Sequence, residues 1–299
     1  MTAGAGLDAK ESESAYRAGG MRIGFVFTNY NNSSFTWEAV RSLVSSPLWY
    51  GHKIVVVDND STPEDVDSLR LLQKQWPEVE VIFNAKNIGY FKGLNIGIAR
   101  LRESRPDITC MVIGNNDLVF PDGFIGEIGA LQGLFNKYAV ICPDLLTLDG
   151  VHQNPHVKNG ISKFRRRIWD LYYSSYAMAL LIKRLARWTG RWTKRRDYAA
   201  HDEPQEIYMG YGACYILGPL FFSHYEQLRA PVFLMGEEFF LSRQLEEKGQ
   251  TLFYEPSILV RHHDHATISK VPSRKMWEIS RESYTLYRDN IRILDDGKR

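Results

Sequence analysis

Cysteine and long apolar runs are both scarce in this chain of 299 residues. Its three cysteines, Cys110, Cys142 and Cys214, lie far apart and form no CxxC pair. A disulfide framework is therefore not visible, and a reducing compartment is the simpler expectation. No apolar run approaches the roughly 20 residues of a membrane-spanning helix, and residues 1–20 lack the apolar core of a secretion signal. We expect a flexible tail at 1–20 and a cytoplasmic location.

Several catalytic and binding motifs are also missing. HExxH and Cys-rich ligand sets, which would indicate a zinc hydrolase, do not occur. The first predicted strand runs into Asn29-Tyr30-Asn31-Asn32, whereas a sugar nucleotidyltransferase would normally carry a Gly-rich, basic loop there. No nucleic-acid-binding module is recognisable. The formal net charge of +2 says little about partners, and 44% apolar with 24% charged residues is typical of a globular protein.

Short apolar runs alternate with segments of helical periodicity over the first 145 residues. We predict strands at Met21–Thr28, Lys53–Val57, Val79–Phe83, Thr109–Ile113 and Tyr138–Cys142. Helices are predicted at Thr36–Val44, Val66–Trp76 and Lys92–Arg102. This alternation is typical of a mainly parallel sheet that helices cover on both faces.

The pattern breaks after Gly150 and returns near Ala213. We predict later strands at Ala213–Leu217, Thr251–Tyr254 and Ser257–Val260, and helices at Glu238–Lys248 and Ser273–Leu294. The predicted fold is therefore α/β, with a mainly parallel central sheet flanked by helices, a helical basic insertion and a C-terminal helix. The predicted divisions are a tail at 1–20, a first half at 21–145, the insertion at 146–205, a second half at 206–270 and a C-terminal segment at 271–299.

Polar residues follow four of the predicted strands. These segments are Asn29–Asn31, Asp58–Asp60, Asn84–Asn87 and Asn115–Asp117. Each alone is a plausible turn, since Asn and Asp dominate turns. The carboxyl ends of parallel strands converge on one crevice, so together they predict a ligand site. Asp58 could accept hydrogen bonds from a nucleobase or ribose, or cap the next helix as an Asx turn.

Acidic and imidazole side chains supply further candidates for chemistry. Asp117 offers one carboxylate to a hard divalent cation such as Mg²⁺. Glu237 and Glu238 stand at the start of a predicted helix, where they either complement its dipole or provide a general base. The run Arg261-His262-His263-Asp264-His265 follows a strand, and its imidazoles could ligate a metal or contact a diphosphate.

The insertion is strongly basic. Between Ile161 and Arg196, Lys and Arg are interleaved with Trp and Tyr, and Asp170 is the single acid. Three interpretations are open: a solvated face of a core helix, a nucleic-acid surface, or a surface that contacts an anionic membrane. The chain shows no other nucleic-acid feature, so we favour peripheral contact with the inner face of the cell membrane through 161–196.

Taken in order, the motifs resemble glycosyltransferase family 2, the inverting GT-A enzymes, and in particular its rhamnosyltransferase-like branch. The matching segments are Phe27-Thr-Asn-Tyr-Asn31, Val56-Val-Asp-Asn-Asp-Ser61, Asn87-Ile-Gly-Tyr-Phe-Lys-Gly-Leu-Asn-Ile-Gly97, Gly114-Asn-Asn-Asp117, Tyr211-Gly-Ala-Cys214, Met235-Gly-Glu-Glu238, the His-rich run Arg261-His262-His263-Asp264-His265, and Tyr284-Thr-Leu-Tyr-Arg-Asp-Asn290. The likeness covers about Met21–Cys142 and Tyr208–Asn290. Two departures are visible: Asn115 replaces the first acid of the DxD motif, and Phe240 replaces an acid often found two places after the base.

The resemblance implies a role for each candidate residue. Glu238 is the expected catalytic base, with Glu237 as the alternative, and Gly212 and Ala213 are expected on the acceptor side. The metal, Mg²⁺ or Mn²⁺, is expected at Asp117, with His263 and His265 as further ligands. The donor-binding residues are expected to be Thr28, Tyr30, Asp58, Asp60, Asn87, Gly89, Lys92, Asn95, Asn115 and Asn116.

The implied reaction is transfer of a sugar, with inversion, from a dTDP- or UDP-sugar to a saccharide or lipid-linked saccharide of cell-envelope polysaccharide. L-Rhamnose is a candidate for the sugar. Two alternatives remain: a sugar nucleotidyltransferase, and a non-catalytic sugar-nucleotide-binding protein of the same fold. No residue in the sequence decides between uridine and thymidine.

Overall fold

The computed structural model describes residues 20–188, 200–264 and 273–294. Its strands are β1 (Ile23–Asn29), β2 (Lys53–Asp58), β3 (Val79–Phe83), β4 (Cys110–Asn115), β5 (Leu118–Val119), β6 (Val140–Thr147), β7 (Ile161–Ser162), β8 (Gln205–Ile207), β9 (Cys214–Leu217), β10 (Leu252–His262) and β11 (Ile293–Leu294). Its helices are α1 (Ser33–Val44), α2 (Pro63–Gln75), α3 (Tyr90–Ser104), α4 (Phe124–Ala130), α5 (Gln132–Phe135), α6 (Lys163–Ser174), α7 (Tyr176–Trp188), α8 (Pro219–His224), α9 (Glu237–Glu246) and α10 (Ser273–Tyr287).

The described residues contain a nine-stranded central sheet in the order β3-β2-β1-β4-β9-β6-β10-β5, with β8 also paired to β10. Strands β3, β2, β1 and β4 are parallel, and β9 runs antiparallel to both β4 and β6. The first strands are near-continuous buried apolar runs, as expected for strands covered on both faces. The predicted α/β fold with a mainly parallel sheet is confirmed.

Register places the polar strand ends at one level. Asn29 is the partner of Asp58, and Asp58 is in turn the partner of Phe83. On the other side of β1, Thr28 is the partner of Asn115. These carboxyl ends therefore form one edge of the sheet, where a crevice can open.

Apolar side chains pack on both faces of the sheet. One core cluster joins the buried strand residues to Val40 of α1, Leu69 of α2 and Phe124 of α4. The other joins them to Leu94 of α3 and Leu241 of α9. Because α3 and α9 cover the same face, their N-termini can both approach the carboxyl edge of the sheet.

The β10 strand is longer than the two strands predicted for this part of the chain. It pairs with β6 along its length, but the register shifts between Glu255 and Leu259. The first part also pairs with β8, and its end, Arg261–His262, pairs with β5. One bulged strand therefore connects two regions of the sheet.

The basic insertion forms two helices, α6 and α7, where one amphipathic helix was the minimum expected. The side chain of Ser162 caps α6 by accepting the backbone N–H of Arg165 at 3.2 Å. Residues 189–196 of the predicted surface and the tail residues 1–19 lie outside the described residues. The C-terminal helix ends earlier than predicted, at Tyr287, and is followed by a 3₁₀ turn (Arg288–Asn290) and by β11, which pairs with β7. No helix among the described residues combines the length and apolarity required to span a membrane.

Candidate functional site

A buried network of amides and carboxylates joins the ends of the first strands; we call it the amide network and define it by Asn29, Asp58 and Asn116. Asn29 donates to Asp58 at 2.8 Å and accepts from Asn116 at 3.0 Å. Asn29 also accepts from Thr36 of α1 at 2.9 Å, and Asp58 accepts the backbone N–H of Ser61 at 3.1 Å. All three defining side chains are buried. The network therefore fixes β1, β2 and the segment after β4 relative to one another.

This arrangement bears on two residues expected to bind the donor. Asn116 also donates to the side chain of Asn32, at 2.9 Å, so its polar atoms bond within the protein. The Asp58 carboxylate is likewise surrounded by protein donors. Both side chains hold the carboxyl ends of the first strands together, and direct contact of either with a donor stays a prediction.

The other residues predicted to bind the sugar-nucleotide donor differ in their exposure and contacts. Asp60 and Lys92 are exposed, and Tyr30 is largely accessible, whereas Thr28 is only partly so. Asn87 accepts the backbone N–H of Gly89 at 3.0 Å and so shapes the turn into α3. Asn95 does not reach this edge through its polar atoms, because its amide donates to and accepts from the backbone of Leu228, at 2.8 Å in each direction. Its observed role is to hold the loop at Leu228.

Gly89 allows the N-terminus of α3 to approach the segment before α9. Its φ is +94°, and a Cβ there would collide with the carbonyl oxygen of Phe233. The next residue, Tyr90, donates its backbone N–H to that same carbonyl at 3.0 Å. A glycine is needed at this point for both conformation and space.

Asp117 and His262 form a corner at the other side of the crevice. Asp117 Oδ1 lies 3.2 Å from His262 Nε2, and both side chains are buried, with exposures of 5% and 2%. The contact is not aligned as a hydrogen bond, and neither atom has another partner among residues 20–188, 200–264 and 273–294. A carboxylate oxygen and an imidazole nitrogen left this way are a fitting pair of ligands for a divalent cation.

The histidines after Arg261 are used differently from the expectation. The side chain of His263 turns towards α1, where Nε2 lies 3.2 Å from the Glu38 carboxylate and the ring contacts Phe35. Its backbone N–H, in contrast, donates to the carbonyl of Asp117 at 3.0 Å. His262 is therefore the histidine beside Asp117, and His265 lies outside the described residues.

The segment Tyr211–Gly212–Ala213 connects this corner to the acidic pair. The Tyr211 ring packs edge-on against His262, and the carbonyl of Ala213 accepts the backbone N–H of Asn115 at 2.9 Å. Between them, the backbone N–H of Gly212 donates to the Glu238 carboxylate, and its carbonyl accepts the Tyr90 hydroxyl at 2.8 Å. Three consecutive residues thus contact the metal-ligand candidates, β4 and Glu238.

The two acids at the start of α9 differ in their surroundings. Glu237 is 3% exposed, and its Oε1 makes no hydrogen bond with any described residue. Burial, reinforced by the charge of Glu238, raises the pKa of Glu237 to about 8. Burial also raises the pKa of Glu238, but the N–H groups of Gly212 and Gly236 oppose this by bonding the carboxylate. Glu238 is the more accessible of the two and is the better candidate for an ionised base.

The model of glycosyl transferase family 2 matches residues 25–187, more than half of the chain. This chain belongs to glycosyl transferase family 2. No curated protein matches it.

Solved structures share the fold of this family 2 protein. GalNAc-T7, crystallised with UDP, GalNAc and Mn²⁺, is similar over 90% of this chain and 48% of that chain, with a TM-score of 0.59 and 14% identity. The mannosyltransferase PcManGT from Pyrobaculum calidifontis, in complex with GDP-Man and Mn²⁺, is similar over 95% of this chain and 70% of that chain, with a TM-score of 0.53 and 14% identity. The chain spans about half the length of GalNAc-T7. At this identity the likeness concerns the fold alone.

Sequence reasoning missed several residues of this family 2 site. His262 could have been identified, because the period-two alternation that buries Ile258 and Val260 in β10 also buries His262. Tyr90 was identified only as part of a motif, although its hydroxyl contacts the carbonyl of Gly212. Burial raises the pKa of Tyr90, and nearby negative groups that include Glu237 and Glu238 raise it further. Gln153, which contacts His262, carried no signal in the sequence.

Proposed function

We propose that this chain is an inverting glycosyltransferase that moves a sugar from a nucleoside diphosphate to an acceptor hydroxyl with the help of a divalent cation. The observation that carries the proposal is the placement of Asp117–His262 and Glu238 on either side of Tyr211–Gly212. A site for a leaving diphosphate and a base for an attacking hydroxyl are thereby held by the same short segment. Family membership argues against the nucleotidyltransferase alternative, and a non-catalytic binding protein would have no use for a base at Glu238.

Asp117 and His262 would hold the cation. Their unpaired, buried atoms fit a hard or borderline ion such as Mg²⁺ or Mn²⁺, with the remaining positions open to donor oxygens and water. When bound, the cation would neutralise charge that develops on the departing diphosphate. Both solved relatives reported above contain Mn²⁺, which supports trying this ion first.

Glu238 would remove the proton from the acceptor hydroxyl. The acceptor oxygen then forms its bond to the anomeric carbon as the bond to the nucleoside diphosphate breaks, which inverts the anomeric configuration in a single displacement. The Gly212 N–H keeps the Glu238 carboxylate oriented, and protonated Glu237 behind it avoids a second negative charge in the pocket. Positioning of this kind accounts for a large part of catalysis in such displacements.

The proposed donor is a dTDP- or UDP-sugar, with L-rhamnose as a candidate sugar, and the proposed acceptor is a saccharide or lipid-linked saccharide. The support is the order of motifs shared with the rhamnosyltransferase-like branch. One solved relative was crystallised with UDP and another with GDP-Man, so a GDP-sugar belongs in the test panel.

The test is an assay of nucleoside diphosphate release with dTDP-, UDP- and GDP-sugars, Mn²⁺ and saccharide acceptors, with the anomer of the product assigned by NMR. We expect acceptor-dependent release, inversion, and a loss of about 10²- to 10⁴-fold in Glu238→Gln. Glu226→Gln, an exposed acid on a loop, is the matched control and should keep full activity. Sugar-nucleotide binding by the wild type without any transfer would support the non-catalytic alternative.

We also propose that α6 and α7 contact an anionic membrane peripherally. Phe164, Arg167 and Leu171 share one face of α6, and Phe164 and Leu171 are 74% and 50% exposed. The single acid, Asp170, is turned away from that face towards the C-terminal helix, where it accepts from the Tyr284 hydroxyl at 2.7 Å and from Arg288 at 2.6 Å. Basic residues beside exposed apolar ones are what an anionic lipid surface attracts.

Vesicle sedimentation tests this contact. Wild type should bind vesicles that contain phosphatidylglycerol and should bind phosphatidylcholine vesicles much less. Phe164→Ser with Leu171→Ser should lose the binding, whereas Leu71→Ser, which removes a 58% exposed leucine from α2, should not. Equal binding to both lipids, or a concentration-dependent dimer that the double variant abolishes, would overturn the proposal.

A further inference from the structure

Gln153 makes a buried contact that the proposed reaction does not use. Its side-chain oxygen lies 2.7 Å from His262 Nδ1, and both side chains are buried. The two residues are 109 positions apart in the chain. A polar contact between two buried side chains from distant segments fixes a specific orientation of each.

The backbone around Gln153 holds it in place. The chain turns after β6 and returns beside it, so that Gln153 donates its backbone N–H to the carbonyl of Leu145 at 2.8 Å. Its neighbour Asn154 donates its amide to the carbonyl of Pro143 at 2.8 Å and accepts the backbone N–H of Tyr211 at 2.9 Å. His262, on β10, is paired with Thr147 of β6, the strand that also contains Pro143 and Leu145. Both members of the contact are therefore positioned by β6.

The chemistry of the contact determines where the His262 proton sits. A side-chain amide oxygen only accepts hydrogen bonds, so Nδ1 must carry the proton. A neutral imidazole has a single N–H, and Nε2 then presents a lone pair towards Asp117. If the Gln153 amide were turned round, Nε2–H would face Asp117 Oδ1 instead, but that contact is not aligned as a hydrogen bond. The observed geometry favours the Nδ1–H form.

We propose that Gln153 is a positioning residue that locks His262 in the Nδ1–H tautomer and thereby presents Nε2, together with Asp117, to a divalent cation. This inference rests on the proposed cation site. Two lone-pair atoms facing each other in a buried corner are unfavourable without a cation and favourable with one. Groups that orient a metal-ligating histidine in this way typically contribute 10- to 100-fold to metal affinity.

The test compares Gln153→Leu, which removes the acceptor, with Gln153→Glu, which retains one. In metal-free protein, ¹⁵N NMR of the His262 ring, assigned with His262→Gln, should show the Nδ1–H tautomer in the wild type and in Gln153→Glu. Gln153→Leu should give a mixture of tautomers. Mn²⁺ affinity, measured by EPR of free Mn²⁺, should fall about 10- to 100-fold in Gln153→Leu and recover to within a few-fold in Gln153→Glu.

Gln227→Leu, at an exposed position, is the matched control and should bind Mn²⁺ like the wild type. An Nε2–H tautomer in the metal-free wild type, or unchanged Mn²⁺ affinity in a folded Gln153→Leu, would overturn the inference while leaving sugar transfer untouched. Absence of Mn²⁺ binding in the wild type would overturn it together with the proposed cation site. Should Gln153→Leu fail to fold, the His262 tautomer in the wild type and the Mn²⁺ affinity of Gln153→Glu still test the inference.

Discussion

Two neighbouring regions at the carboxyl edge of the sheet contain the same kinds of residue in opposite states. In the amide network, Asn29, Asp58 and Asn116 bond one another and the surrounding backbone. In the second region, the corner formed by Asp117 and His262, each side chain has a buried polar atom that makes no hydrogen bond with the described residues, and Glu237 at the start of α9 has one as well. Asn116 and Asp117 are adjacent in the chain, yet the side chain of Asn116 belongs to the hydrogen-bonded network and that of Asp117 to the second region.

The difference separates structural from chemical use of polar residues. Buried polar groups normally find partners, because an unpaired one costs about 1–3 kcal/mol. The amide network meets this rule and so stabilises the floor of the crevice. The Asp117–His262 corner violates it at both side chains, and that cost is offset only when a ligand supplies the missing partners. Substitutions in the two regions should therefore fail in different assays.

Among substitutions in these two regions, the largest effect is expected for Asp117→Ala. It removes one of the two proposed cation ligands, so sugar transfer should fall by at least about 10²-fold, and the rise in melting temperature that Mn²⁺ causes should disappear. Because Asp117 Oδ1 has no hydrogen-bond partner in the part of the chain that the structure describes, the metal-free stability should change little. Thermal unfolding with and without Mn²⁺ measures both. A large loss of metal-free stability would show that Asp117 stabilises the fold as the amide network does, and would contradict the distinction between the two regions.

Glu237→Gln should change how stability depends on pH. The pKa of Glu237 is about 8 in the folded protein, above its ordinary value of 4.5. Below pH 4.5 both folded and unfolded forms are protonated, and between 4.5 and 8 only the unfolded form ionises, so stability falls as pH rises and levels off above 8. The wild type should lose a few kcal/mol across this range, and Glu237→Gln should lose less.

Urea unfolding at pH 5 and pH 8 checks this prediction. Glu64→Gln, an exposed acid at the start of α2, serves as the control and should follow the wild-type profile. Parallel profiles for the wild type and Glu237→Gln would mean that Glu237 is ionised throughout and that its unpaired oxygen has another explanation.

Gly212→Ala should lower the rate by displacing the base. A Cβ at this position would meet the Glu238 carboxylate, which is the flexible end of a side chain and can move aside. The fold should therefore persist, while the misplaced base reduces kcat by up to about 10²-fold with KM for the donor nearly unchanged. Steady-state kinetics with varied donor concentration measure kcat and KM separately. A change in KM alone would remove Gly212 from the acceptor side.

Asn116→Ala should have the smallest effect on the rate and act mainly on stability. It leaves the side chains of Asn29, Asn32 and Thr36 short of partners, which should cost about 1–3 kcal/mol of unfolding free energy. Activity per folded molecule should stay within a few-fold of the wild type. Asn136→Ala, in an exposed turn, is the control for loss of an asparagine amide. Loss of activity without loss of stability would show that Asn116 acts on the donor.

The longer strands and helices were predictable because their patterns are local, whereas short elements such as β7, β8 and α5 were not predicted. Val79–Phe83 forms the strand predicted for it, and α3 exceeds its predicted range by two residues at each end. The convergence of polar strand ends was also predictable, since a mainly parallel sheet leaves them no other arrangement. What each polar side chain bonds could not be predicted, because it depends on register and on contacts from elsewhere. Gln153 and His262 show this most clearly, as do Asn95 and Leu228, which are 133 positions apart.

The shift of register inside β10 gives the two ends of that strand separate alignments with β6. Residues up to Glu255 align in one register, in which Leu252–Tyr254 also pair with β8, and those from Leu259 onward align in another, in which Arg261–His262 also pair with β5, so we expect a change of length at Pro256 to be absorbed between them. An insertion there should move the β8 side and leave His262 beside Asp117. For protein engineering, we therefore expect that residues can be inserted at Pro256 without changing the positions of Asp117 and His262. A strand with one continuous register would not tolerate such an insertion.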